Sequence, residues 1–272
     1  MSNRIVFYDL STGTHDNPKI WSPNTWKIRY ALNIKKLEFE TVWLEFHEVE
    51  PTIAKLGGKP TTTKPDGYVL CIRLTADRPL TQFSPCRTPW YTLPVIYDPK
   101  TKQIISDSRD IVEYLDKQYP ATQKLVLDPT FEDEWEEAVF TNAIKTFPPS
   151  IFTVLHNRVS VPAAQHIRKV REAQFGDTLE NLNTEEAVRQ QWKGFENGYT
   201  NLSESYKKAG TTFLSKGDVP MWADLNIGSW LISQKFTYGE ESKQWKSILE
   251  WDGGLWKKLN EALQVYEGKG FE

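Results

Sequence analysis

The sequence has few cysteines and no long apolar run. Only Cys71 and Cys86 occur among 272 residues, too few for the disulfide framework of a small secreted protein. No apolar stretch approaches the roughly 20 residues of a membrane-spanning helix. The N-terminal residues lead directly into a strand-like segment, so we expect no signal peptide. We therefore expect a cytoplasmic protein without a membrane partner.

A strong charge of either sign is also lacking. The chain has 33 Lys and Arg against 36 Asp and Glu, a net charge of −3. It thus lacks the basic surface typical of nucleic-acid binding, and we expect no nucleic-acid partner. Its four histidines have no metal-ligand spacing. The sequence contains no phosphate-binding loop, dinucleotide motif or nucleophile elbow, which leaves metal, nucleotide and hydrolase chemistry without support.

Aromatic residues, in contrast, are numerous, with 11 Trp, 11 Tyr and 13 Phe. We expect most of them to fill a large core. The alternative is a pocket for flat organic ligands, because such pockets are lined by aromatic side chains.

The first part of the chain alternates strand and helix patterns. Residues 4–10 are β-branched and aromatic, as in a strand. A helix is predicted to begin with Ser22 at the N-cap and Pro23 at the first helical position. It should end near Lys35, whose charge suits the negative end of the helix dipole. A second strand is predicted at 39–46, and a strand–helix–strand unit of this length predicts parallel strands.

The remaining patterns divide the chain into two domains. The further elements predicted for the first part are a helix at 49–56, a strand at 68–74 within a Pro- and Thr-rich insertion of about 57–91, a hairpin of 92–97 and 103–105, and a helix at 107–119. Only helical patterns follow, at 131–159 with a break at Pro148-Pro149, and at 163–175, 184–209, 222–234, 242–251 and 255–266. This order predicts an α/β domain over residues 1–120, a linker near 120–127 and an all-α domain over 128–272.

A hydroxyl stands where thioredoxin-type folds carry a reactive cysteine. The start of the first helix reads Trp21-Ser22-Pro23-Asn24-Thr25, whereas those folds have Trp-Cys-x-x-Cys at the positive helix end, which lowers the thiol pKa. A hydroxyl cannot exchange disulfides, but it can donate a hydrogen bond to a thiolate carried by a ligand. The alternative is that Ser22 simply caps the helix.

Two further local motifs could hold a peptide-like ligand. A cis peptide bond at Leu93-Pro94 would leave the Leu93 backbone free to pair with such a ligand. Asp107-Ser108, at the start of a predicted helix, offers a carboxylate for an ammonium group and N–H groups for a carboxylate. Each motif alone also has a plain structural explanation, a strand start or a helix cap. Their order and spacing along the chain are more specific.

With these motifs the chain resembles the cytosolic glutathione transferases over essentially its full length. The matching pieces are Ser22-Pro23 before Lys27, Arg29, Ala31 and Leu32, then Thr92-Leu93-Pro94-Val95-Ile96, and Asp107-Ser108 with Ile111, Tyr114 and Leu115. Residues 21–32 look most like the bacterial β-etherase branch, and the closest resemblance is to the fungus-specific etherase-related A class of wood-degrading fungi.

This resemblance implies a thioredoxin-like N-terminal domain that binds glutathione as cosubstrate. Ser22 would donate a hydrogen bond to the glutathione sulfur, and Leu93, before a cis-Pro94, would pair with the glutathione cysteine. Asp107 and Ser108 would hold the γ-glutamyl end. The helical domain would supply a pocket for a hydrophobic electrophile, from aromatic residues between about 131 and 152, and a homodimer is expected.

The chain departs from the family pattern at two places. Met221-Trp-Ala-Asp224 lacks the hydroxyl of the usual Ser/Thr-x-x-Asp capping box, which weakens the expectation of a cap there. The insertion of about 57–91 leaves it open whether Lys55, Lys59 or Arg87 meets the glycine carboxylate. The insertion itself could form a hairpin at the subunit interface or over the site, or a surface loop without function.

The predicted function is that of a serine-type glutathione transferase acting on hydrophobic or aromatic electrophiles. Conjugation is the main reaction expected, with peroxide reduction or ether cleavage as variants. A thiol-exchange enzyme is disfavoured, since it would need a cysteine at position 22. A non-catalytic ligandin that binds plant or lignin-derived aromatic compounds stays open as the alternative.

Overall fold

Strands and helices alternate in the first part of the chain, and only helices follow. The computed structural model describes residues 3–11, 22–61 and 91–268. The first elements are β1 (Ile5–Leu10), α1 (Pro23–Ile34), β2 (Phe39–Leu44), α2 (Phe46–Leu56), β3 (Val95–Asp98), β4 (Gln103–Ser106) and α3 (Ser108–Gln118). The later helices are α4 (Pro129–Val139), α5 (Ile151–His156), α6 (Val161–Phe175), α7 (Leu179–Leu182), α8 (Glu185–Ala209), α9 (Trp222–Tyr238) and α10 (Lys243–Gln264).

The four described strands form one mixed sheet in the order β2-β1-β3-β4. β1 and β2 are parallel, and the predicted strand–helix–strand unit is confirmed. β3 is antiparallel to both β1 and β4, and its pairing with β4 confirms the predicted hairpin. A thioredoxin-like α/β part followed by an all-helical part is therefore the observed fold class. The predicted strand at 68–74 lies outside the described residues.

Helix α1 is buried between the sheet and the helical part. Pro23 lies at its start, as predicted, and the side chains of Ile28, Ala31 and Leu32 are fully buried. Trp26 stacks on Phe236 of α9 with ring centroids 5.8 Å apart. A helix in this position can have apolar residues on most of its surface, because it contacts protein on several sides.

Lys35 joins α1, α3 and the segment that leads to the helical part. It is buried, and its Nζ lies 2.7 Å from Asp116 Oδ1 and 2.8 Å from the Gln123 carbonyl oxygen. Asp116 also accepts hydrogen bonds from the Leu125 and Val126 N–H groups. The sequence predicted only an interaction of the Lys35 charge with the helix dipole, and this buried ion pair was not predicted.

The predicted helix at 131–159 is interrupted earlier than the sequence indicated. After α4 the backbone is π-helical over Phe140–Ile144, and α5 begins beyond the predicted Pro148-Pro149 break. The interruption faces α8 at Gly198, where a Cβ atom would overlap the Asn142 carbonyl oxygen. The two helical segments come this close only because position 198 has no side chain.

The last helical stretch is broken as predicted. Within α10, the residues from Trp251 to Gly254 have non-helical backbone angles, so that two helices meet there. Asp252 accepts a hydrogen bond from Trp256 Nε1 at 2.9 Å across this break. The short helix α7 was not predicted. No helix in the described ranges is both long and apolar enough to span a membrane.

Candidate active site

The predicted site residues come together at one end of the sheet. In the register, Tyr8 near the end of β1 pairs with Val95 at the start of β3, and Val95 pairs with Ser106 at the end of β4. Pro94 and Asp107 flank these paired positions. Helix α1 must begin at the same end, because β2 starts at the opposite end beside Ile5.

Ser22 occupies the N-cap of α1, but its hydroxyl does not cap the helix. The residue is 9% exposed, and its side chain makes no capping hydrogen bond. Its carbonyl oxygen accepts the Trp26 N–H and the Thr25 hydroxyl. The first turn of α1 contains no acidic residue. The positive helix end is therefore not neutralised from within its own first turn.

A buried ion pair fixes α1 to β1 below this position. Arg29 Nη2 lies 2.7 Å from Asp9 Oδ2, with side-chain exposures of 6% and 0%. Burial raises the pKa of Asp9 and lowers that of Arg29, while their pairing opposes both shifts. The guanidinium also lies over the Trp43 ring, 5.2 Å from its centroid. The sequence reading matched Arg29 to the family without assigning this role; an Asp at the end of an apolar strand was the available signal.

The peptide bond between Leu93 and Pro94 is cis, as predicted. The ladder between β1 and β3 ends at the Tyr8–Val95 pair, so Leu93 lies outside it. Pro94 is buried and Leu93 is half-buried.

Asp107 and Ser108 form the start of α3. The Asp107 carboxylate accepts the Arg109 N–H at 2.8 Å, and its side chain is exposed. Its φ of 78° and ψ of 137° fall in a region that residues other than glycine rarely adopt. Such a conformation costs about 1–3 kcal/mol and is concentrated at functional sites.

Arg109 connects this turn of α3 to the helical part. Its guanidinium lies 2.6 Å from Glu113, 3.2 Å from Glu136 and 3.3 Å from Asp133. Burial lowers the pKa of Arg109, but the carboxylates outweigh this effect and raise it. Glu136 in turn accepts the Trp222 indole N–H at 2.6 Å. Sequence reasoning missed this junction, because its members lie far apart in the chain.

Models of a known enzyme family match both parts of the chain. The glutathione S-transferase N-terminal domain matches residues 21–118, and the C-terminal domain of the same family matches residues 129–266. The chain belongs to the glutathione S-transferase family. The predicted family and the prediction of a transferase are thereby confirmed.

Solved fungal transferases share this fold over their full length. GSTFuA2 from Phanerochaete chrysosporium is 32% identical, with a TM-score of 0.81 and coverage of 98% of this chain and 99% of that one. CsGST83044 of Ceriporiopsis subvermispora, solved in complex with glutathione, is 28% identical with a TM-score of 0.82, covering 97% and 99%. GSTFuA3 from P. chrysosporium is 29% identical with a TM-score of 0.81, covering 98% of both. No curated protein sequence matches the chain.

The transferase retains a cap at the start of α9 despite the missing hydroxyl. Asp224 Oδ2 accepts the Met221 N–H at 2.9 Å, and Oδ1 accepts the Leu214 N–H and the Tyr206 hydroxyl. Burial raises the pKa of Asp224 to about 6, and these hydrogen bonds oppose the increase. A cap at Met221 therefore does not need the hydroxyl of the family pattern, because the Asp224 carboxylate accepts the Met221 N–H.

The aromatic residues of the helical part mostly pack against one another. Phe147 makes edge-to-face contacts with Phe152, Phe195 and Trp230, and Trp192 contacts Trp251. The transferase thus uses most of its aromatic side chains in the core, which was the first of the two predicted explanations.

Two of the three basic residues left open by the sequence are described, and Arg87 is not. Lys55 and Lys59 are both exposed. Lys59 lies close enough to the first turn of α3 to lower the pKa of Asp110, although burial and neighbouring carboxylates raise it overall. Lys59 is therefore the one placed beside α3.

No group of three or more His, Cys, Asp or Glu residues in the described part could hold a metal ion.

A cavity of about 460 Å³ lies beside β2, lined in part by Arg29, Phe39, Thr41 and Trp43. None of the five predicted site residues lines it.

Proposed function

We propose that this chain is a serine-type glutathione transferase in which the Ser22 hydroxyl stabilises the glutathione thiolate. The observation that carries the proposal is the state of that hydroxyl: it lies at the positive end of α1 and makes no capping hydrogen bond. A relative with 28% identity was solved in complex with glutathione. The same cosubstrate is proposed here.

The energy required is of the size that these groups supply. A free thiol of pKa about 8.5 is ionised to only a few per cent at neutral pH. Lowering its pKa by about 2 units needs roughly 2.7 kcal/mol of preference for the thiolate. A hydroxyl hydrogen bond to a charged acceptor and the end of a helix together contribute about 2–4 kcal/mol.

The other site residues would bind the two ends of the tripeptide. The Leu93 backbone, outside the strand ladder, would pair with the cysteine residue of glutathione. Asp107 would hold the γ-glutamyl ammonium group, and Ser108 at the start of α3 would hold the carboxylate. The partner of the glycine carboxylate stays open among Lys55, Lys59 and Arg87.

The proposed reaction joins sulfur to a hydrophobic electrophile. The thiol proton leaves to solvent, the thiolate attacks an electrophilic carbon, a carbon–sulfur bond forms, and the leaving group departs with its electron pair. Proximity of the two bound reactants supplies much of the acceleration. Peroxide reduction and ether cleavage are proposed variants that begin with the same thiolate.

The alternative is a ligandin that binds aromatic compounds without turnover. Its main support in the sequence was the aromatic content, and most of those side chains pack in the core. Transferase activity is therefore favoured. We also propose a cytoplasmic homodimer. Most of the insertion at about 57–91 lies outside the described residues.

A calorimetric titration with glutathione combined with an assay of a model aryl halide tests this function. The proposal predicts glutathione binding and turnover in the same preparation. Tight binding of aromatic compounds without turnover would instead favour the ligandin, and an absence of glutathione binding would exclude both the site and the mechanism.

A further inference from the structure

Glu132 is a buried carboxyl group that the proposed chemistry does not use. It lies in the first turn of α4 with an exposed fraction of 0%. Within the described ranges, neither of its carboxyl oxygens makes a hydrogen bond of good geometry, and the Ala223 backbone gives only the weakest stabilisation of its charge. A carboxylate ion in such a place is disfavoured, because little replaces the water it has lost.

The groups around Glu132 come from four helices. Helix α3 contributes Arg109, α4 itself contributes Glu136, α9 contributes Asp224, and α8 contributes the Tyr206 hydroxyl. Burial raises the pKa of Glu132 to about 8; Asp224 and Glu136 add to the increase, while Arg109 and the Ala223 backbone oppose it. Asp133 and Glu113 complete the set of charges, since both pair with Arg109.

Glu132 differs from the neighbouring carboxyl groups Asp224 and Glu136 in its partners. Asp224 accepts three hydrogen bonds, and Glu136 accepts the Trp222 indole N–H and pairs with Arg109. Those contacts replace part of the water that both groups have lost. Glu132 makes no hydrogen bond of good geometry, so the neutral acid is the form favoured there.

We propose that Glu132 is a positioning residue that is held as the neutral acid and whose ionisation weakens glutathione binding. The effect of ionisation acts through Arg109. The new carboxylate attracts Arg109 away from Glu136 and so disturbs the first turn of α3, which receives the γ-glutamyl end. The identity of the ligand in this inference rests on the proposed function, whereas the protonation state of Glu132 does not.

The protonation state has a consequence for folding that needs no ligand. The pKa of Glu132 is about 8 in the folded chain, above its ordinary value near 4.5. At pH values between these two, the folded state therefore binds up to one proton more than the unfolded state. The free energy of unfolding therefore decreases as pH rises through this window and levels off above the folded pKa. Replacing Glu132 by glutamine removes this contribution and keeps the shape of the neutral acid.

The first experiment follows the melting temperature of the full chain from about pH 5 to pH 9. We expect a steeper decline with pH in the wild type than in Glu132→Gln. The exposed neighbour Glu134 provides the control, and Glu134→Gln should behave as the wild type does. If the two glutamine variants show equal slopes, the inference is wrong.

The carboxyl resonance of Glu132, followed by NMR in the wild type, tests the same point without a variant. A titration midpoint near the ordinary pKa would contradict the inference.

The second experiment measures the binding of S-methylglutathione by calorimetry over the same range, since this probe has no thiol to titrate. We expect the wild type to lose affinity by about fivefold or more above pH 8, the lower end of usual coupling between two sites, and Glu132→Gln to lose less. An equal loss in both proteins would overturn the inference and leave the proposed function standing. A wild type that binds the probe at no pH would overturn the proposed function and this role together.

Discussion

Ser22 and Ser242 of this transferase both occupy N-cap positions, but their hydroxyls make different contacts. Ser242, at the start of α10, accepts the Trp245 N–H at 3.1 Å. Ser22, at the start of α1, makes no such bond. The identity of the residue predicts the N-cap position in both cases, whereas only the structure distinguishes a hydroxyl that caps the helix from one that makes no capping hydrogen bond.

This difference makes the pair a matched test. Ser22→Ala should change the free energy of unfolding by less than about 0.5 kcal/mol, because no cap is lost, while conjugation decreases steeply. Ser242→Ala should lose about 1 kcal/mol of stability with its cap and keep its activity. Urea unfolding and an aryl-halide assay measure both effects. Full activity in Ser22→Ala would assign thiolate stabilisation to another group.

Asp107 permits a separate test of the γ-glutamyl contact. Asp107→Gly fits the positive φ of this position, and glycine at an N-cap costs only a few tenths of a kcal/mol. Stability should therefore hardly change. The KM for glutathione should rise about tenfold or more, since a hydrogen bond to a charged group contributes roughly 1.5–3 kcal/mol. Asp107→Asn, which keeps the cap and loses the charge, should show the same rise; an unchanged KM in both variants would contradict the assignment.

At the scale of elements, the close approach of α8 to the π-helical segment Phe140–Ile144 depends on one glycine. Gly198 is buried there, and Gly194, one turn earlier on the same helix, is exposed. A Cβ at position 198 would overlap Asn142, whereas a Cβ at 194 has nothing within 4 Å. Helical periodicity predicted α8 itself but could not show which side of it another helix approaches.

The two glycines should therefore respond oppositely to alanine. Gly198→Ala should destabilise the protein by about 1–3 kcal/mol or more through overpacking. Gly194→Ala should be neutral or stabilising by up to about 1 kcal/mol, because alanine is the better helix former. Thermal unfolding of the two variants gives the comparison. Equal stabilities would mean that the helices have room to separate.

At the scale of the whole molecule, local signals predicted most of the fold, and long-range pairs escaped them. The start of α1, the hairpin of β3 and β4 and the break at Gly253-Gly254 each follow from residues adjacent in sequence. The ion pair of Lys35 with Asp116 and the contact of Arg109 with Glu136 join residues 81 and 27 positions apart. A sequence pattern predicts neither ion pair, because the chain contains many charged residues with which each of these side chains could pair.

Lys35 tests how strongly such a pair holds α1, α3 and the segment after α3 together. Lys35→Met leaves the Asp116 carboxylate, only 9% exposed, without its cation. Breaking a buried pair in this way costs about 3–5 kcal/mol, so the urea midpoint should fall markedly. Lys36 is exposed, and Lys36→Met is the control that should hardly change stability. Equal midpoints for the two variants would show that the pair contributes little.

The central claim, that the Ser22 hydroxyl stabilises the glutathione thiolate, is tested most directly by titrating the bound thiol through its ultraviolet thiolate absorbance. In the wild-type complex the thiol pKa should lie about 2 units below the free value near 8.5. In the complex of Ser22→Ala, the thiol pKa should return most of the way to the free value. An identical thiol pKa in the two complexes, with glutathione bound in both, would contradict the account.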